Sequence, residues 1–111
     1  MDRLDLYRQI IKDILTEYSQ YKPSNGEIEV QLWLDEERDH YQILGVGWDG
    51  KKRVYGCSVH FDIKDGKIWL QENNTEIDFA QELVDKGVPK EDIVIGFHTP
   101  LFRQYSGYAL C

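Results

Sequence analysis

Positive charge and long apolar runs are what this sequence has least of. Its 13 Lys and Arg stand against 20 Asp and Glu, a formal net charge of −7. Affinity for nucleic acid rests on cations that replace counterions along the phosphates, so tight direct DNA binding is not expected. The one basic cluster, Lys51-Lys52-Arg53, reads as a solvated hairpin tip that resists edge-to-edge association. Apolar runs extend only a few residues, which excludes a helix spanning a bilayer. The opening MDRLDLYRQIIKDIL carries acids where a signal peptide carries bases, and the expected location is the cytoplasm.

Cysteine is equally scarce. Cys57 sits inside a strand pattern and Cys111 at the end of the sequence, an arrangement that suits two reduced thiols better than a disulfide framework. Without C-x-x-C spacing a zinc site is not expected, and neither a metal nor a cofactor is expected. G-x-S-x-G, the phosphate-binding loop and paired Cys-His patterns are missing as well. What is plentiful is aromatic area: 3 Trp, 7 Tyr and 4 Phe in 111 residues, with hydrophobic residues at 41%. That balance describes one folded domain over residues 1–111.

Leu4, Tyr7, Ile11, Ile14, Leu15 and Tyr18 recur at helical spacing with Asp2 placed to cap, which predicts a helix over residues 3–19, stopped by YKPSNG. From Ile28 the period becomes two, with Ile28, Val30, Leu32 and Leu34 on one side of a strand and Trp33 on the other. HYQILGVGW and RVYGCSVHFDI flank DGKK, and KDGK repeats the device before IWLQ, so a four-stranded antiparallel meander follows. Thr75 with Asp78 predicts the start of a second helix, and Gly87 with Pro89 its end. DIVIGF returns as a short fifth strand, and GFHTPLFRQYSGYAL forms a C-terminal strap. The class is α+β, with helices on one face of a mainly antiparallel sheet.

LDLYRQIIKDILTEY, VGWDGKKRVYGCSVHFDIKDGKIWLQ, TEIDFAQELVDKGVPKEDIVIGFHTP and RQYSGYAL, in that order, resemble the XisI family, the cyanobacterial fdxN element excision controlling factors. The resemblance implies a controlling role in a programmed DNA rearrangement of heterocyst differentiation, in which a separate recombinase does the cutting. It also implies, as a candidate partner, a nuclease-like neighbour of the XisH type. It supplies no catalytic residue to carry over.

The sharpest chemical hypothesis comes from hairpin geometry. If Trp48 pairs with Lys51 across Asp49-Gly50, His60 faces Asp39 and Asp62 faces Glu37, while His60, Asp62 and Lys64 share one face. Glu37, Asp39, His60, Asp62 and Lys64 could then hold a divalent ion and activate water, and Asp62-Ile63-Lys64 fits the acidic-x-lysine element of restriction-type nucleases. Against it stands the plainer reading of solvated polar residues with His60 hydrogen-bonded to Asp39. The favoured expectation is that the chain is not an enzyme, with a metal-dependent nuclease as the alternative.

A binding protein accounts for more of the residues. Trp33 falls opposite the apolar side of its strand, and YQILGVGW and IWL are apolar on both parities, so both sheet faces require cover. Two helices cover one. The other needs a second copy of the chain, a different partner or the C-terminal strap, and the candidate contact residues are Trp33, His98, Phe102, Arg103, Tyr105 and Tyr108. The expected state is a homo-oligomer, most simply a dimer, that regulates a recombinase or an XisH-like nuclease. An antitoxin-like role toward a neighbouring nuclease, unconnected with excision, is the further alternative.

Overall fold

Asp2 begins the first helix as its sequence position suggests: its carboxylate accepts the N–H of Asp5 at 2.9 Å, satisfying one of the free donors of the first turn. Helix α1 spans Arg3–Ser19 and turns Tyr7, Ile10, Ile11, Ile14 and Leu15 inward. The computed structural model describes residues 2–20 and 27–111, so the expected stop at YKPSNG lies outside the described residues.

The sheet contains β1 (Glu27–Asp35), β2 (His40–Asp49), β3 (Lys52–Lys64), β4 (Lys67–Asn73) and β5 (Ile93–Ile95), side by side in that order. The first four run as an antiparallel meander, and β5 joins β4 in parallel after the crossover through α2 (Phe79–Asp85). One face receives α1 and α2. There Tyr41, Ile43, Val59, Phe61, Ile68, Leu70, Ile93 and Ile95 meet Tyr7, Ile11, Leu15, Phe79 and Leu83 in a single buried core. No described helix is long and apolar enough to cross a membrane.

The expected architecture is what forms, with two local corrections. Helix α2 is capped by Asp78, whose carboxylate accepts the N–H of Gln81 at 3.1 Å. Thr75 caps nothing: its hydroxyl donates to Asn73 Oδ1 and accepts from the N–H of Ile77, bending the chain ahead of the helix. The helix then ends in a Schellman motif, with Gly87 at φ +104 and the N–H groups of Gly87 and Val88 bound to the carbonyls of Val84 and Leu83.

The second correction concerns register. Asp49 pairs with Lys52, not Trp48 with Lys51, so the tight turn is Gly50-Lys51, with Gly50 at φ +62. The pairing then slips by one residue at Ser58, between Leu44↔Cys57 and Ile43↔Val59. A matching slip on β4 leaves Gln71 as the extra residue between Phe61↔Leu70 and His60↔Glu72. Two β-bulges therefore sit side by side in the middle of the sheet.

Candidate functional site

Strand alternation sends a second set of side chains to the face away from α1. Two rows of register neighbours run across it: Trp33, Gln42 and His60 in one, and Asp35, His40, Asp62, Trp69 and Val94 in the next. His60, Asp62 and Lys64 share this face, as period two requires.

The five-residue cluster expected from the sequence does not assemble. His60 lies opposite Gln42 instead of Asp39, and Asp62 opposite His40 instead of Glu37. The reason is the turn placed one residue later together with the bulge at Ser58, which shift the partner strand by three positions at this end. Glu37 is exposed in the β1–β2 turn, where its N–H donates to the Asp35 carboxylate. Asp39 faces α1: Arg8 donates to it through Nε at 2.8 Å and Nη2 at 3.2 Å, and the Tyr41 hydroxyl donates at 2.8 Å. These contacts, led by the Arg8 hydrogen bond, hold the Asp39 carboxyl below its ordinary range. Lys64 lays its ammonium 4.5 Å from the centre of the Trp69 ring.

In place of that cluster the bulges bring together a smaller one. His40 Nδ1 and His60 Nε2 each stand 2.7 Å from the same oxygen of Asp62, and Gln71 Nε2 donates to the other oxygen at 3.1 Å. The two imidazoles are nearly perpendicular, 84° apart with centroids at 6.3 Å. Burial pushes the Asp62 carboxyl up, but hydrogen bonds from His40, His60 and Gln71 outweigh it and hold the group below the usual carboxylate range. The cluster opens into a recess of about 470 Å³ lined by Trp33, Leu34, Asp35 and Gln42. Sequence reasoning missed His40 and Gln71 here, because both are brought in by bulges, and a one-residue slip leaves no mark in a strand's composition.

The C-terminal segment covers the other end of this face. Ala109 bridges to Val94, its N–H donating to the carbonyl of Ile93 at 2.8 Å, so the segment lies along the free edge of β5. Helix α3 (Pro100–Arg103) is capped by the hydroxyl of Thr99. From it Arg103 reaches back, with its guanidinium carbon 5.1 Å from the Trp69 ring centre and its nitrogens donating to the carbonyls of Ile95, Gly96 and Leu110. Trp69 and Val94 are buried in consequence.

Of the expected contact residues, the strap thus uses two for its own fold: Arg103 is a clamp, and Tyr108 packs against the helix-side core. Both side chains thus have contacts within the chain, and both stay partly exposed. Phe102 and Tyr105 point outward, 60% and 77% exposed, beside Leu101 and Phe97. His98 is exposed, its ring meeting Phe97 edge-on at 4.9 Å. Trp33 is 53% exposed, and Trp48 and Tyr55 at the far end of the same face reach 50% and 70%.

Comparison with known proteins converges on one group. A family model described as XisI protein matches residues 1–110. The solved structure of a XisI-like protein from Anabaena variabilis ATCC 29413 is 51% identical, with a TM-score of 0.92 over 98% of this chain and 100% of that one. The fdxN element excision controlling factor XisI from the same organism is 36% identical, with a TM-score of 0.87 over 99% of this chain and 100% of that one. No curated protein sequence matches. The meander, its parallel fifth strand and the C-terminal strap are thus a shared architecture, and this chain belongs to the XisI family.

Proposed function

We propose that this chain is an accessory factor for the excision of a DNA element, the role named for the XisI of Anabaena variabilis, and that it works through protein contact without catalysing a reaction. One observation carries the reading. The outer sheet face is sealed at the β4–β5 end, where Trp69 is 9% exposed, and bare at the β1–β3 end, where Trp33, Trp48 and Tyr55 stand open. Aromatic area of this kind, left uncovered by the chain's own helices and strap, is where interface energy concentrates.

The charge balance favours a basic partner, a recombinase or an XisH-like nuclease, over the nucleic acid itself. A second copy of the chain seated on the same face gives a twofold dimer. The five-residue nuclease cluster does not assemble, since Glu37 and Asp39 are held elsewhere.

Co-expression with the recombinase or nuclease encoded nearest the gene, followed by co-purification at moderate salt, tests the proposal. Capture is expected, together with its loss in Trp48→Ala/Tyr55→Ala at unchanged melting temperature. Light scattering reports the dimer. Suppression of a captured nuclease would favour the antitoxin-like role over excision. Plasmid nicking in magnesium or manganese by the chain alone, abolished by Asp62→Ala, would overturn the reading in favour of an enzyme.

A further inference from the structure

We propose that His40, His60 and Asp62 form a three-ligand site for a divalent ion of the zinc class, open to the outer face of the sheet. The donor atoms, one from each residue, all lie within 4.8 Å of one another. Two imidazole nitrogens and one carboxylate oxygen, with no thiolate, suit zinc and its neighbours and are poor for magnesium or calcium, which prefer oxygen throughout.

The site is built from the backbone outward. The bulge at Ser58 puts His60 and Asp62 beside His40, and the bulge at Gln71 releases that side chain to bind the far oxygen of Asp62. Gln71 in turn has room only because residue 96 is glycine: a Cβ there would stand 2.4 Å from Gln71 Oε1. Gly96, Gln71 and Asp62 therefore make a supported ligand, the arrangement in which an outer group aims a metal-binding carboxylate. Asp35 stays outside the set, because its carboxylate accepts the N–H groups of Glu37 and Arg38.

Both histidines now stand 2.7 Å from a single oxygen, a hydrogen-bond distance. Around an ion at about 2.0–2.2 Å from each ligand, tetrahedral neighbours are about 3.3 Å apart, so each histidine–carboxylate pair opens by about 0.6 Å while the two imidazole nitrogens, within 4.8 Å of each other, settle at the same spacing. Each imidazole shifts its proton to the opposite ring nitrogen and presents a lone pair where it now presents a hydrogen. The remaining coordination position faces the recess beside Trp33, where water or a group from a bound protein can enter.

Titration calorimetry of the chelator-stripped full chain with zinc chloride is the test, in a Cys57→Ser/Cys111→Ser background so that thiols do not compete. One equivalent should bind, with a rise in melting temperature. His40→Ala, His60→Ala and Asp62→Asn should each weaken binding about tenfold or more and abolish that rise, while His98→Ala should leave both unchanged. Cobalt in place of zinc should give the visible absorption of a four-coordinate site. Circular dichroism checks that each variant folds. If one variant unfolds, the other two and the cobalt spectrum decide. Absent one-to-one binding at micromolar zinc, binding that survives in His40→Ala/His60→Ala, or equal loss in His98→Ala would each overturn the proposal and leave an adventitious ion or a hydrogen-bonded cluster only.

Discussion

Arg8 on α1 grips Asp39 at the entry to β2 through two guanidinium nitrogens, and this contact fixes the helix against one corner of the sheet. Asp39 also takes the hydroxyl of Tyr41, in a backbone conformation with φ +60 that few residues tolerate. Asp39→Ala removes the carboxylate from both donors at once, leaving the buried Tyr41 phenol unpaired and Arg8 with Asp5 as its remaining partner. The expected result is a melting temperature lowered by about 5 °C or more. Because the carboxyl is held below its ordinary value, the contribution is present at neutral pH and disappears as pH falls through that lowered value. In an acid melting series the gap between wild type and variant should narrow at low pH, leaving the cost of alanine at φ +60; a constant gap would show that the loss comes from the backbone and not from the charged carboxylate.

Arg103, a candidate contact residue from the sequence, carries a prediction about the chain's own stability. Three carbonyls and the Trp69 ring receive its guanidinium, so Arg103→Ala should destabilise by about 1–2 kcal/mol and open Trp69 to water, seen as a red shift of tryptophan emission. Arg103→Lys should not rescue it, since a point charge cannot span three acceptors. Tyr105→Ala, a few residues on and facing solvent, should leave melting unchanged.

The contrast shows what the sequence disclosed. Helix α1, the four meander strands, α2 and β5 were legible because hydrophobic periodicity and turn residues are local signals. The candidate site was not, apart from His60 and Asp62. His40 and Gln71 join them only through two bulges, and strand register depends on the whole sheet. Arg103 and Tyr108 looked like interface residues because aromatic and guanidinium groups serve a chain's own lid and a partner's pocket equally well. The contacts with Trp69 and with the core could not be read from the sequence.

Gly47 marks a tight contact within the sheet. A Cβ at this position would stand 2.0 Å from the carbonyl oxygen of Glu27 and 2.8 Å from the Ile28 Cα, both backbone atoms that cannot rotate away. Gly47→Ala should therefore push the start of β1 off β2 at a cost of about 1–3 kcal/mol. Hydrogen exchange should accelerate for Ile28 and Glu29 while the Tyr41–Ile43 end stays protected. Uniform protection would mean that the added methyl is accommodated without parting the two strands.

Tyr7 ties α1 to the turn before β5 by donating its hydroxyl to Asp92, which also lies 3.7 Å from Arg3. Burial first, and then the hydrogen bond to Asp92, push its pKa from 10.0 up to about 12. In the unfolded chain the phenol ionises near its ordinary value, whereas in the folded chain it keeps its proton well above that. Between those two values the folded state binds more protons than the unfolded one, so stability must fall as pH rises. Tyr7 thus contributes fully below pH 10.0, and its contribution is lost as pH climbs through about 12. Tyr41 is shifted in the same direction by burial and by Asp39, which adds to the slope. Tyr7→Phe should cost about 1 kcal/mol at neutral pH and flatten the alkaline decline without removing it. Melting temperature against pH, measured with phenolate absorbance on the same samples, checks both effects. An unchanged alkaline slope in Tyr7→Phe would place the titration that unfolds the protein on a different residue.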